Sequence, residues 1–574
     1  MSRRRLLSVA VALLLAALAV TARAVVVMGA EHGRYARMAR RQQQQTLTVP
    51  SLRGEIRSRD GYLLATSVDR VAIQVDRRAL SYPRLFARAA APLLGRSPDA
   101  LLRRLESGPR MVWAAQQVDP ATAAAVRRLA PSAVVLVPDS SRLYPMGRLA
   151  APVIGFTGRE ELRTVGRSGL EHYYDTILAG TSSRYLAVRD AVQRRILLRK
   201  LSEGRAGCDL RLTLDARLQA ACEEILSDML HRVDARSASA VVLDPATGGI
   251  LALASVPGFD PSAPGDADRY AWRCHPIQDA FEPGSTLKPL AVSAALAADV
   301  IRPGERFDCT HHGIEIGGHW IRDHARPGVY TIDGVVAQSS NAAMAEIAGR
   351  IPPHFLWRAL DGFGLGHRTG IGFPAEAAGT LHRPESWSRL SPSGVAMGQE
   401  LTATPLQMAV AYAALANGGW LVRPRLVIAA DGGSVRAAAG PARGARILDA
   451  RLARRVCSML RRVVEEGTGV QADVPGYPSC GKTGTAQHAV AGHFDDAHHL
   501  AWFAGFLPWD APRAVIVVSF EEPRKDYWAS SVAAPTFRRI GAVTMRLLHV
   551  VPEDADLPAV IARAAAPAGS GGGA

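Results

Sequence analysis

The strongest pattern of apolar and polar positions lies at the N-terminal end. Leu6 to Val20 carries no charge, and after Arg23 the apolar run resumes from Ala24 to Met28. Together these stretches reach the ~20 residues that a membrane-spanning helix needs. Arg3, Arg4 and Arg5 precede the run, which predicts a cytoplasmic tail at 1–5 and a span over 6–28. Arg23 can extend its guanidinium to the interface. Ala22-Arg23-Ala24 also has the small-x-small form of a cleavage site, but the apolar residues beyond it favour an uncleaved signal-anchor. On either reading the bulk of the chain is exported.

Beyond the span, Glu31 to Gln45 is polar, with four arginines and four consecutive glutamines, and reads as a helical or extended stalk. In the region 51–205 the pattern predicts a strand over Ala65–Val75, helices over Leu101–Leu105 and Ala121–Leu129, and a strand over Ala133–Val137. No group of catalytic side chains gathers there. From about Leu210 the pattern changes. Leu214–Leu230 is amphipathic with a helical period. Ala238–Leu243 and Ile250–Ser255 flank a turn-forming Asp244–Gly249 segment and predict a hairpin. Leu500–Leu507 and Ala514–Phe520 predict two further strands, and Leu406–Asn417 and Leu452–Glu465 predict helices between. Strands at both ends with helices between imply an α/β or α+β core whose sheet is assembled from distant segments. The Gly- and Ala-rich tail from about Ala564 predicts disorder.

Composition adds a size and a charge. The 574 residues, 48% hydrophobic and 21% charged, suffice for two or three domains with sizeable cores. The net charge of +16 fits an Arg-rich solvated surface, or contact with anionic lipid or an anionic polymer. Nucleic acid is disfavoured as a partner, because the basic residues are scattered without interleaved aromatics and the chain is exported. The six cysteines include no Cys-x-x-Cys pair, so no zinc or redox motif is suggested and buried free thiols are expected.

Three short motifs carry candidate chemistry. Ser285-Thr286-Leu287-Lys288 follows Glu282-Pro283-Gly284, and Pro-Gly predicts that Ser285 opens a helix. A spacing of three puts Ser285 and Lys288 on one helical face, an amine within reach of a hydroxyl. A serine hydroxyl needs a base to become a nucleophile, and a lysine whose pKa is depressed can serve. The helix N-terminus offers N–H groups to an oxyanion. Ser339-Ser340-Asn341 supplies a hydroxyl that can relay a proton and an amide that both donates and accepts. Lys482-Thr483-Gly484-Thr485 precedes a predicted strand, and Gly484 would let another backbone approach. A peptide substrate could pair along that edge, its carboxylate meeting Lys482 and the threonines. Each motif alone also fits a solvated turn or helix surface. Composition argues otherwise. Only four of the 68 basic residues are lysine, at 200, 288, 482 and 525, and two fall in these motifs. Arginine cannot lose its proton in a protein and lysine can. Asn occurs only at 341 and 417.

Ser-x-x-Lys, Ser-x-Asn and Lys-Thr-Gly in this order form the joint motif set of penicillin-binding proteins and class A β-lactamases. The chain resembles the class B (monofunctional) penicillin-binding proteins over nearly its whole length. Arg53-Gly54-Glu55-Ile56, Arg59-Asp60-Gly61 and Gly169-Leu170-Glu171 are similar to the family's non-catalytic pedestal. Thr213-Leu214-Asp215, Phe281–Lys288, Thr404-Pro405-Leu406-Gln407 and Trp502–Phe506 are similar to its transpeptidase domain. The chain departs from the family at Ser58, Glu400 and Ala529-Ser530-Ser531. The resemblance implies a serine penicillin-recognising, β-lactamase-like α+β domain over 206–550, a mixed α+β pedestal (dimerisation) domain with its stalk over 29–205, one transmembrane helix and a flexible tail over 551–574.

The same resemblance implies the roles. Ser285 would be acylated by a stem peptide at D-Ala–D-Ala and Lys288 would be its base. Ser339 would relay protons and Asn341 would hold the substrate amide. Lys482 would support the field around Ser339 and the substrate carboxylate, Thr483 and Thr485 would bind that carboxylate with Gly484 between them in the substrate-binding stretch, and the N–H groups of Ser285 and Thr485 would form the oxyanion hole. It implies no cofactor, β-lactams as inhibitors, the inner membrane as location, and a polytopic glycosyltransferase with other division or elongation proteins as partners. Length and the absence of a C-terminal repeat extension lean to the division type.

Other candidates are weaker. His311, His312, His319 and His324 crowd one segment and His488, His493, His498 and His499 another, but none has the spacing of a zinc site, so no metal is expected. Glu282 reads as a helix-start carboxylate. Trp320 and Trp502 fit a cleft or simply core. The competing functions are a serine β-lactamase or D,D-carboxypeptidase, and a dormant scaffold or β-lactam sensor. The anchor and pedestal argue against a β-lactamase, which needs neither, and the three intact motifs against a dormant scaffold. A sensor would need a signalling domain, and only about five residues precede the predicted span.

Overall fold

The computed structural model describes residues 3–107, 109–160, 162–189, 195–302, 304–430, 443–490 and 493–553. The expected tail falls almost wholly outside the described residues, as do the side chains of His488, His493 and His498. The chain divides into two compact units, one of residues 1–53, 68–141 and 179–207, the other of residues 54–67, 142–178 and 208–574.

The first unit opens with the helix Arg3–Met28, of which Leu7–Met28 is long and apolar enough to cross a membrane. The stalk is helical over His32–Gln43 and then extended over Gln44–Val49, so both predicted conformations occur, in succession. That strand pairs antiparallel with Ser183–Arg189, which pairs with Arg195–Ser202. Elsewhere in the unit, residues 71–76 pair with Met111–Val118. Helices Pro83–Leu93, Pro98–Glu106 and Pro120–Leu129 each begin with proline at the first turn, where its missing N–H has no intrahelical role. Ser97 and Asp119 cap two of them by accepting from Ala100 N, and from Ala121 N and Thr122 N. Ile73, Val75, Phe86, Leu101, Leu105 and Val126 form the core.

The second unit is built on a five-stranded antiparallel sheet. Its spatial order is Ile250–Val256, Ser237–Leu243, Ala514–Glu521, His493–Leu507, Cys480–Val490. The predicted hairpin and the two predicted late strands are all in it, and Cys480–Val490 is an outermost strand. The Ala514–Glu521 strand is buried throughout. Its Val515 and Val517 enter one core cluster while Ile516, Val518 and Phe520 enter the other, as the two-residue strand repeat requires when both faces are covered. Helices Ala216–Val233 and Ala533–Leu547 cover one face. The other carries Lys288–Ala297, Pro405–Ala416 and Ala450–Glu465. Pro405–Ala416 is apolar almost all round, which is the signature of an interior helix. It starts with a capping box, Thr404 Oγ1 accepting from Gln407 N at 3.1 Å and Gln407 Oε1 from Thr404 N at 2.7 Å. All six cysteines are free thiols, five of them buried and Cys208 half-buried.

Candidate active site

The three motifs converge in the second unit. Ser285 sits in a single 3₁₀ turn, Gly284–Leu287, which runs into the helix Lys288–Ala297. Ser285 is partly exposed while Gly284, Thr286, Leu287 and Lys288 are buried. The turn is fixed on three sides. Thr286 Oγ1 donates to the Pro283 carbonyl at 2.6 Å, Tyr412 OH donates to the Thr286 carbonyl at 2.7 Å, and Gly284 N donates to the Gly398 carbonyl at 3.1 Å. Gly284 has φ +54°, a conformation that favours glycine.

The third motif lies on the outermost strand. By the two-residue repeat Cys480, Lys482, Gly484 and Ala486 share a face, and Cys480 and Ala486 belong to the core cluster that also holds Leu287 and Leu290. A Cβ on Gly484 would meet the Pro283 carbonyl oxygen at 2.7 Å and Thr286 N at 3.1 Å. The backbone that Gly484 admits is therefore the turn carrying Ser285.

Lys288 is fully buried, and its Nζ is directed at the second motif. It donates to the Ser339 carbonyl and to Asn341 Oδ1, both at 2.7 Å, and lies 3.3 Å from Ser339 Oγ and from the Ser340 carbonyl. Burial lowers its pKa to about 7, with Asp323 and Cys309 pulling the other way. Lys482 is likewise fully buried, its Nζ reaching the Thr483 carbonyl at 3.1 Å. Burial, together with the charge of Lys288, holds it well below the ordinary lysine value. Lys288 is therefore an amine that can exist neutral near physiological pH.

The second motif is a tight junction between the helices Ile332–Gln338 and Asn341–Arg350. Ser339 occupies it with φ +60°, ψ +36°, a left-handed conformation that a non-glycine residue adopts at a cost and that clusters at functional sites. Ser340 caps the second helix, its Oγ accepting from Ala343 N at 3.1 Å. Asn341 Nδ2 donates to the Arg322 carbonyl at 3.0 Å. Among the hydroxyls of the third motif, Thr483 Oγ1 is 2.6 Å from Thr468 Oγ1, and Thr485 Oγ1 accepts from Ala529 N at 3.1 Å.

A family model described as the penicillin binding protein transpeptidase domain matches residues 238–542, and one described as the penicillin-binding protein dimerisation domain matches residues 48–212. The chain belongs to the class B penicillin-binding proteins. It is 32% identical over 570 residues to the probable peptidoglycan D,D-transpeptidase PbpC of Pseudomonas aeruginosa, covering 97% of this chain and 98% of that one. It is 31% identical over 514 residues to the peptidoglycan D,D-transpeptidase FtsI of Escherichia coli, covering 88% and 85%. Among solved structures, penicillin-binding protein 3 of Mycobacterium tuberculosis complexed with aztreonam superposes with a TM-score of 0.68 at 29% identity, covering 88% of this chain and 98% of that one. The fold is the mixed α+β penicillin-binding transpeptidase fold.

Several residues of this penicillin-binding protein's site escaped the sequence reading. Asp323 accepts from Ser340 Oγ, and Thr468 pairs with Thr483. Gly467-Thr468-Gly469 repeats the Thr-Gly composition of the third motif, a signal that could have drawn attention to it. Asp323 carried no such mark. Glu282 does not cap the Ser285 turn; its Oε1 accepts from Glu400 N at 3.0 Å, where Glu400 has φ +59° at a position the family often fills with glycine. Trp502 is core, and Trp320 is 57% exposed on the short hairpin Gly313–Ile316/His319–Arg322.

Proposed function

We propose that this chain is a peptidoglycan D,D-transpeptidase that cross-links stem peptides through an ester on Ser285. The observation that carries the reading is Lys288: a fully buried amine with its pKa lowered to about 7, three residues from a partly exposed serine and hydrogen-bonded into the second motif. Such an amine can take a proton at neutral pH. Lys288 Nζ accepts the Ser285 hydroxyl proton as Ser285 Oγ attacks the carbonyl of the penultimate D-Ala. The amide C–N bond then breaks, and the departing D-Ala nitrogen receives a proton through Ser339. An amine of a neighbouring stem attacks the ester, loses a proton, and regenerates the serine. Asn341 holds the substrate amide. The N–H groups of Ser285 and Thr485 face the developing oxyanion. The peptide lies along the outer edge of Cys480–Val490, with its terminal carboxylate at Lys482, Thr483 and Thr485 and Gly484 keeping the strand against the Ser285 turn.

The apolar helix supports a single-pass anchor over 6–28 at the inner membrane, with 29–205 as pedestal and 206–550 as catalytic domain outside. The names of the relatives support a septal role, in which a polytopic glycosyltransferase polymerises the glycan. Nothing in the proposed chemistry calls for a cofactor.

The test is the exported part incubated with a fluorescent penicillin. A long-lived covalent adduct, lost in Ser285→Ala and nearly lost in Lys288→Arg, is expected. Rapid hydrolysis of the drug would identify a β-lactamase instead, and no adduct at all would leave a scaffold without catalysis.

A further inference from the structure

The second motif is held by a residue outside all three motifs. Asp323 follows the strand His319–Arg322 directly and reaches the N-terminus of the helix Asn341–Arg350. Its Oδ1 accepts from Asn341 N at 2.9 Å and from Ala325 N at 3.1 Å, and its Oδ2 accepts from Ala342 N at 3.3 Å and from Ser340 Oγ. Asp323 N in turn donates to the His312 carbonyl at 2.8 Å, which ties the carboxylate to the hairpin. The neighbouring Arg322 carbonyl receives Asn341 Nδ2. Asn341 is thus gripped from two consecutive residues of one strand end, while its Oδ1 faces Lys288. A carboxylate at a helix N-terminus is also favoured by the helix dipole.

We infer that Asp323 is a positioning residue of the acyl-transfer site. It orders the Ser339–Asn341 junction so that the carbonyls of Ser339 and Ser340 and the Asn341 side chain converge on Lys288 Nζ, and it supplies the negative charge that this buried amine faces. The inference rests on the reading of Lys288 as the base.

The charge balance around Lys288 follows from the groups on each side. Asp323 approaches with the hairpin, Lys482 lies on the outer strand, and Cys309 has its Sγ 3.2 Å from Ser340 Oγ. Burial works to raise the Asp323 carboxyl, but the Ser340 hydroxyl and the amides of Asn341, Ala325 and Ala342 outweigh it and hold the group below the usual range. Asp323 is therefore an anion at the pH where Lys288 titrates, and it favours protonated Lys288. Removing the charge makes Lys288 easier to deprotonate.

Three variants test this by stopped-flow acylation with a fluorescent penicillin across the pH range, with melting temperatures measured beside the rates. In Asp323→Asn the acidic limb of the rate profile moves to lower pH, because the anion that favours protonated Lys288 is gone. Its plateau falls about tenfold, because the junction is misordered. In Ser340→Ala the plateau falls while the limb stays, since no charge is removed. A purely structural role would lower the melting temperature without moving the limb. An Asp323→Asn limb that coincides with that of the unaltered protein overturns the inference. Should Asp323→Asn not fold, a Ser340→Ala plateau equal to that of the unaltered protein overturns it, and a lowered plateau in folded protein sustains it. Lys288→Arg separates the two readings. Normal acylation there removes Lys288 as the base, whereas a dead Lys288→Arg beside an unmoved Asp323→Asn removes only the role of Asp323.

Discussion

Gly484 lies so close to Thr286 that a Cβ at residue 484 would stand 2.9 Å from Thr286 Cγ2. The outer strand and the Ser285 turn thus approach this closely because one residue has no side chain. Gly484→Ala should push them apart, lowering stability by about 1–3 kcal/mol, as overpacking does. It should slow penicillin acylation at least tenfold, since a sub-ångström shift of a reacting group carries penalties of that order. Acylation kinetics beside urea melts measure both.

The buried amine sets a pH dependence. The neutral fraction of Lys288 grows as pH rises through about 7, so the acylation rate should climb between pH 6 and 8 and then level. Lys288→Arg keeps a cation that cannot be a base, and should lose about 10²–10⁴-fold at the plateau. A flat profile in the unaltered protein would count against Lys288. The same depression has a stability consequence of defined sign. Between about 7 and the ordinary 10.5 the unfolded chain holds a proton that the folded one has released, so this group's contribution to stability rises with pH across that window.

Thr468→Val removes a hydroxyl at nearly constant shape and leaves Thr483 Oγ1 without its 2.6 Å partner. If Thr483 receives the substrate carboxylate, the half-saturating penicillin concentration should rise about fivefold, the equivalent of one hydrogen bond of ~1 kcal/mol. The limiting acylation rate should stay close to its original value. Saturation kinetics separate the two.

Arg142 and Glu171 form an ion pair in the second unit with side chains 2% and 0% exposed, Nε to Oε1 at 2.7 Å. Arg142 also donates to the Gly54 carbonyl and to Ser67 Oγ. Glu171→Gln removes the carboxylate charge from this buried pair and should cost about 3–5 kcal/mol in a denaturant melt. The acylation rate of the folded fraction should not change.

The layered architecture and the placing of Ser285 beside Lys288 were legible because each has a local signature. The Ala514–Glu521 strand opens on an unbroken apolar run, Ala514–Val518, rich in the β-branched residues that favour a strand covered on both faces. Ser285 and Lys288 lie within one turn of each other, and lysine is so scarce here that its presence carries information. Asp323 was not legible, because its contacts reach 17 to 19 residues along the chain to Ser340, Asn341 and Ala342. An aspartate beside an arginine looks like any surface charge until the hairpin folds over. The direction of the Lys288 amine was half legible. Spacing placed it beside Ser285, but its hydrogen bonds go to a junction more than 50 residues away, where Ser339 takes up a left-handed backbone that nothing in Ser-Ser-Asn announces.

Cys480–Val490 is the outermost strand of its sheet, and that position bears on solubility. An unpaired strand edge invites a second molecule to add its own strand, and most proteins cover, shorten or charge such an edge to prevent aggregation. The proposed pairing of a peptide along this strand requires the edge to stay open to it. Lys482 turns inward from that strand and is fully buried, and a polar amine held there makes the strand a poorer partner for another sheet than an apolar side chain would. Replacing it with an apolar residue would do more than disturb the proposed carboxylate site. It would lift a safeguard against self-association, so the chemistry and the colloidal behaviour of the protein are constrained at the same position.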